Sequence, residues 1–153
     1  MTSNVWFSLV HPDAQPPVYS TLYSAAMDFH CIEDYIVPAR GRVKIRTGVS
    51  AMWQDPNLYL QLQSRSGLFA KSGLSVIGGV IDYDYCQEIH VLLQNHTDVD
   101  VNISKGDRIA QGIFQPRSLN LQCFVQHPDE EFVHYLPYAT AEVRQGGFGS
   151  TGK

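Results

Sequence analysis

A chain of 153 residues has the length of one domain and is long enough to bury a real core. Its hydrophobic content of 44% is that of an ordinary globular protein. A net charge of −4 excludes a broad basic face for nucleic acid, but not a polyphosphate ligand held by backbone N–H groups, a few arginines and a metal. In chain order, Val5 to Val10 alternates loosely and predicts a first strand, and His11 to Pro17, with three prolines, predicts a loop. Asp28 is a lone acid before an aromatic and reads as a loop-edge carboxylate. Arg42 to Val49 alternates basic with β-branched residues, which places Val43, Ile45 and Thr47 inward. Leu58 to Gln63 alternates as cleanly, leucines inward. Ser64 to Lys71 predicts a helical turn whose first N–H groups favour an anion, with Arg65 and Ser66 beside it; an ordinary capped turn is the plainer reading.

Gly78-Gly79-Val80-Ile81-Asp82-Tyr83-Asp84-Tyr85 reads as a β-hairpin, the glycines giving backbone freedom and room for a close approach. If the strand runs through it, Asp82 and Asp84 face one side and Tyr83 and Tyr85 the other. Paired acids beside phenols suit acid–base work and the packing of a flat ring; they are also ordinary turn chemistry. Glu88 to Gln94 continues the hairpin as a strand, Asn95 to Asp98 is a turn, and Val99 to Ile103 is a further strand. Arg108 to Phe114 follows as a mostly apolar strand, Leu121 to Val125 is the last core strand, and His127 to Tyr138 is acidic and irregular. Many short strands with close turns and no long helix predict an all-β sandwich or barrel. The end, Arg144 to Lys153, carries four glycines around Phe148; it reads as a flexible tail or as a wrap for phosphates.

Three scattered cysteines, Cys31, Cys86 and Cys123, without a CxxC, predict reduced thiols. The six histidines form no close metal-type pair. The start lacks a basic segment followed by a long apolar run, and no apolar stretch is long enough to span a membrane. The expectation is an intracellular protein, cytoplasmic or nuclear, without a secretion signal and without a membrane partner.

Five short stretches stand in a fixed order: Ala25-Ala26-Met27-Asp28-Phe29, Arg65-Ser66-Gly67-Leu68, Gly79 to Tyr85, Gly106-Asp107-Arg108-Ile109-Ala110-Gln111, and Gly146-Gly147-Phe148-Gly149-Ser150-Thr151-Gly152. Together, from about Ser24 to the C-terminus, they resemble the trimeric dUTP diphosphatases (dUTPases). The resemblance implies a jelly-roll-like β-barrel over residues 1–140 and a glycine-rich tail, 141–153, that closes over a neighbouring subunit's site in a homotrimer. The implied reaction is magnesium-assisted hydrolysis of dUTP to dUMP and pyrophosphate, which keeps uracil out of DNA and supplies dUMP for thymidylate synthesis. Asp82 matches the water-activating carboxylate, Tyr85 the ring under the deoxyribose, and Asp28 the acid that orients Mg2+ through water. Arg65, Ser66, Gly67 and Gln111 match phosphate contacts, Phe148 the ring that stacks on uracil, and Gly149, Ser150 and Thr151 tail contacts to the nucleotide. Backbone near Gly79, Val80 and Ile81 reads the base. The chain departs from the family at Ala26, usually glycine, at Cys86-Gln87, usually Arg-Gly or Gln-Gly, and at Val143, where an arginine is usual and Arg144 stands one residue nearer the glycines. No direct nucleic-acid binding is expected, and an added regulatory protein partner stays open. A dCTP deaminase of related fold and a non-catalytic nucleotide sensor are the competing readings.

Overall fold

The structure, a computed structural model, describes residues 2–118 and 120–135. Its first strands are β1 (Val5–Leu9), β2 (Val18–Tyr19), β3 (Met27–His30), β4 (Tyr35–Val37), β5 (Arg42–Trp53) and β6 (Leu58–Gln63). After a short helix, α1 (Ser66–Ser72), come β7 (Leu74–Ile77), β8 (Val80–Ile81), β9 (Glu88–Asn95), β10 (Val101–Ile103), β11 (Arg108–Pro116), β12 (Cys123–Val125) and β13 (Val133–Tyr135). The protein is all-β. Among the described residues, no helix is long and apolar enough to cross a membrane.

Two antiparallel sheets carry the structure, in the orders β1-β5-β9-β7 and β2-β3-β11-β6-β8. The alternation of β5 and β9 explains the first sheet: Ile45, Thr47, Val49, Ala51 and Trp53 are buried along β5, and Ile89, Val91 and Leu93 along β9. One core joins these to Leu60 and Leu62 of β6, Phe29 of β3 and Ile109 and Ala110 of β11. Each fully buried aliphatic or aromatic side chain contributes about 1.5–3 kcal/mol. Two polar side chains that enter the core, Thr47 and Asn95, are paired there. Thr47 Oγ1 donates to the Ile89 carbonyl at 2.6 Å, and the Asn95 amide donates to the Val37 and Val99 carbonyls at 3.0 and 2.8 Å.

The stretch from Gly78 to Tyr85 lies in the long connection of the antiparallel pair β7–β9 and does not form a tight hairpin of its own. β8 pairs with β6, through Leu60↔Ile81 and Gln61↔Val80, whereas β9 pairs with β5 and β7. The segment is a crossing from one sheet to the other and back. The strand stops at Ile81 and a turn follows, closed by the Tyr85 N–H on the Asp82 carbonyl at 3.0 Å, so side chains beyond Ile81 no longer alternate. Two further expectations are corrected. Asp28 lies inside β3 rather than at a loop edge, and β12 is not core: among the described residues it pairs with β13, in a separate two-stranded sheet, with Phe124 and Val125 exposed.

Candidate active site

The five-stranded sheet brings three of the five motifs together. In its register Asp28 stands opposite Gln111, and Gln111 opposite Gln63, the last residue of β6. The chain leaves β6 through Ser64 and Arg65 into α1, so Arg65, Ser66 and Gly67 arrive at the same edge as Asp28 and Gln111. These residues line one polar cleft of about 300 Å³ with Ser20. Gln111 fixes the entry, its amide Nε2 donating to the Ser64 carbonyl at 2.9 Å. Gly67 has an ordinary φ and nothing within 4 Å of where a Cβ would stand, so neither backbone nor packing requires glycine there. Gly67 itself lines the cleft.

Asp28 is the hub. It is 6% exposed. Its Oδ1 accepts from Arg65 Nε at 2.8 Å; its Oδ2 accepts from Ser20 Oγ at 2.6 Å and from Arg108 Nη1 at 3.3 Å. Burial works against the charged carboxylate, but the Ser20 hydroxyl and the two guanidinium groups outweigh it and hold the group below the usual carboxylate range. Two arginines thus share one buried carboxylate; Arg65 also lines the cleft, whereas Arg108 reaches Asp28 from outside it. Arg108 and Ser20 have no role that sequence reasoning finds; Arg108 stands in the fourth motif, but only the β3–β11 register brings it to Asp28. Among the described residues no group of three or more His, Cys, Asp or Glu side chains is placed to hold a metal directly. Asp28 fits an outer contact instead. With one donor on Oδ1, that oxygen keeps a lone pair for a metal-bound water, and magnesium characteristically keeps several waters.

The crossing loop forms a second cleft, of about 320 Å³. Gly79, Val80, Ile81 and Tyr85 line it, against Leu62 and His90. Gly79 is demanded by packing: its φ is +95° and a Cβ would stand 2.6 Å from the Leu62 carbonyl oxygen, whose own N–H donates to the Gly79 carbonyl at 2.7 Å. The close approach expected at this glycine is therefore made by β6. Tyr85 is buried, and its hydroxyl donates to the Glu88 carbonyl at 2.8 Å. Glu88 is anchored in turn, its carboxylate accepting from Arg46 Nη2 at 3.0 Å and from the Gly48 N–H at 2.9 Å. Asp82 lines a third cleft, with Tyr83, Asp84 and Arg117. Tyr83 packs edge-on against Trp53, at 5.9 Å between centroids, and does not share a face with Tyr85. Arg144, Phe148, Gly149, Ser150 and Thr151 lie outside the described residues.

Fold and site thus define an all-β protein with an ion-paired polar cleft toward one end of a sheet and a glycine-bent, largely aliphatic slot toward the other. Comparison with known proteins gives this class a family. A dUTPase family model matches residues 13–152. The deoxyuridine 5′-triphosphate nucleotidohydrolase of Yarrowia lipolytica is 34% identical over 145 residues, covering 95% of this chain and 87% of that one. The enzyme of the same name from Wolinella succinogenes is 38% identical over 146 residues, covering 94% and 91%. Among solved structures, the Staphylococcus bacteriophage 80alpha dUTPase superposes with a TM-score of 0.74 at 21% identity, covering 81% of this chain and 97% of that one, which is a likeness of fold. The chain belongs to the dUTPase family.

Proposed function

We propose that this chain hydrolyses dUTP to dUMP and pyrophosphate as a homotrimer with shared sites. Residues 1–140 are the folded domain and residues 141–153 the closing tail. One observation carries the sharing: the polar cleft of Asp28, Arg65 and Gln111 and the loop cleft of Gly79 to Tyr85 have no lining residue in common. A nucleotide that needs a slot for its base and sugar and a cationic bed for its phosphates is served by the loop cleft of one copy and the polar cleft of the next.

In this reading the loop backbone at Gly79, Val80 and Ile81 holds uracil, and the buried Tyr85 ring lies against the deoxyribose, where a 2′-hydroxyl has no room. Arg65, Ser66, Gly67 and Gln111 hold the phosphate chain, and Arg144, Gly149, Ser150 and Thr151 with the Phe148 ring close over it. Magnesium bound with the triphosphate would supply charge neutralisation, and Asp28 would be the residue that holds it, through water. Asp82 takes a proton from water; the oxygen bonds to the α-phosphorus, the bond from that phosphorus to the bridging oxygen breaks, and pyrophosphate leaves. Fixed cationic and N–H donors stabilise the charge that develops on the phosphoryl oxygens. A cytoplasmic or nuclear site of action goes with this substrate and with three unpaired cysteines.

Pyrophosphate release from dUTP, dCTP, dTTP and UTP, with and without magnesium, tests the proposal. Magnesium-dependent release from dUTP alone is expected. Ammonia from dCTP, or no release from any nucleotide, overturns it.

A further inference from the structure

The three donors that meet the Asp28 carboxylate are not equivalent. Arg65 arrives on a long side chain that also lines the polar cleft, with its Nε 2.8 Å from Oδ1. Its Nη1 makes a longer contact, 3.3 Å, with the Arg108 carbonyl. Ser20 and Arg108 both meet the other oxygen, Oδ2, at 2.6 and 3.3 Å. Ser20 donates from a short side chain on a backbone fixed from both directions. Before it, Val18 and Tyr19 of β2 stand in register with Asp28 and Met27 of β3. After it, Thr21 and Ser24 close a tight turn: the Ser24 N–H donates to the Thr21 carbonyl at 3.2 Å, and the Thr21 N–H to Ser24 Oγ at 3.0 Å. Ser20 is the stationary donor, and Arg65 is the one with reach.

A phosphate in the polar cleft asks Arg65 to turn toward it. A guanidinium pairs with phosphate in the same forked way as with carboxylate, so Asp28 and the ligand compete for one side chain. Taking a partner from a buried carboxylate is costly, because the charge left behind is uncompensated. Ser20 and Arg108 offset that cost. With both on Oδ2, Asp28 keeps a hydrogen bond and a counter-charge after Arg65 has left Oδ1. The Arg108 contact is the longer of the two, so the Ser20 hydroxyl is the main hydrogen bond that stays.

We infer that Ser20 is a positioning residue for triphosphate binding: by holding Oδ2 of Asp28, it frees Arg65 to exchange that carboxylate for the phosphate chain. The inference rests on the dUTP reading of the polar cleft. Ser20 acts through Arg65, so its effect is confined to ligands whose phosphates reach Arg65, and it vanishes when Arg65 is replaced.

The test is the ratio of two affinities, for a non-hydrolysable imido analogue of dUTP and for dUMP, measured by calorimetry without magnesium so that no metal acts on Asp28. Wild type, Ser20→Ala, Ser20→Thr, Arg65→Gln and the double variant Ser20→Ala with Arg65→Gln are compared. Ser20→Ala should lower the ratio about tenfold, the size of one hydrogen bond to a charged group, with dUMP affinity unchanged. Ser20→Thr keeps the hydroxyl and should restore the ratio. In the Arg65→Gln background, Ser20→Ala should change nothing further. A Ser20→Ala ratio equal to wild type overturns the inference, and so does an equal loss for both ligands, which is a structural role. A tenfold loss that persists without Arg65 overturns it too, by making Ser20 a direct phosphate contact. A crystal structure of wild type with the analogue decides the matter even if the variants do not fold: Arg65 should have left Asp28 while Ser20 stays on Oδ2, and an Arg65 still bonded to Asp28 contradicts the exchange. Wild type that binds both ligands with an unmoved variant ratio removes Ser20 alone; wild type that binds neither removes the dUTP reading as well.

Discussion

At the Asp28 side of the five-stranded sheet the cleft is made by side chains; at the β8 side it is made by backbone. The first gathers charges that would repel or desolvate one another if left alone, and binds them through a single buried carboxylate: two guanidiniums and a serine hydroxyl on Asp28. The second has a glycine at +95°, a two-residue strand and aliphatic walls, with its polar contacts made by peptide groups. The difference matches the two halves of a nucleotide. Phosphates carry diffuse charge and need mobile cations held in place, whereas a base needs a slot of fixed width with donors and acceptors at fixed height.

The comparison is broken most severely at Asp82, which belongs to neither cleft wall. Asp82→Asn should lower kcat by about 10²–10⁴-fold, the range of general-base help, with KM and thermal stability almost unchanged. An equal loss of nucleotide affinity would make Asp82 a binding or structural group instead. The next effect falls on the side-chain cleft. Asp28→Ala leaves Arg65 and Arg108 facing each other without their shared acceptor. It should destabilise the fold by about 3 kcal/mol in urea unfolding and raise KM for dUTP. Unchanged stability would mean that the ion pairs are solvated decoration.

A pair of glycine substitutions sharpens the contrast. Gly79→Ala puts a Cβ on the Leu62 carbonyl at a positive φ and should cost about 1–3 kcal/mol. Gly67→Ala meets nothing and should change stability by less than about 0.5 kcal/mol, yet weaken dUTP binding if phosphate packs on this cleft-lining backbone. A Gly67→Ala enzyme with wild-type KM would show that no phosphate approaches there.

The smallest expected effect is on the pH dependence of stability. Asp28 and Glu88 are held below their usual values of 3.8 and 4.5, burial being outweighed by Ser20 and Arg65 for Asp28 and by Arg46 and the Gly48 N–H for Glu88. Their contribution is therefore present above those values and lost as pH falls through the lower, folded-state ones. His30 works earlier. Burial pushes its pKa below 6.5, and its Nδ1 has no hydrogen-bond partner, so the unfolded chain takes the proton first and stability falls as pH drops below 6.5. His30→Gln should remove the decline in Tm between about pH 6.5 and 5 and leave the steeper loss at lower pH. A decline of the same size in both proteins would assign it elsewhere.

The alternating strands were legible in the sequence because period-two burial writes itself there: β5 and β6 bury Ile45, Thr47, Leu60 and Leu62 as expected. Short strands such as β2 and β4 carry too few residues to show a period. The crossing at Gly78 to Tyr85 looked like a hairpin because Val80 and Ile81 favour a strand whichever strand they pair with; their partner, β6, lies far away in sequence. Asp28 looked like a loop acid for the same reason. Its neighbours Arg65 and Arg108 are distant in the chain and are brought to it by the β3–β11 register and the β6–α1 junction. The resemblance to a family named Asp28, Arg65 and Gln111 as site residues; that they share one cleft, and that Arg108 and Ser20 join them, needed the fold.

The most direct test of the account mixes two defective chains. Asp82→Asn and Arg65→Gln should each be nearly inactive alone. Co-expressed in equal amounts, they should regain activity, because about a quarter of sites then pair an intact Asp82 from one copy with an intact Arg65 from another. Activity no greater than the average of the two pure variants would place both residues' sites within one chain and contradict the shared site.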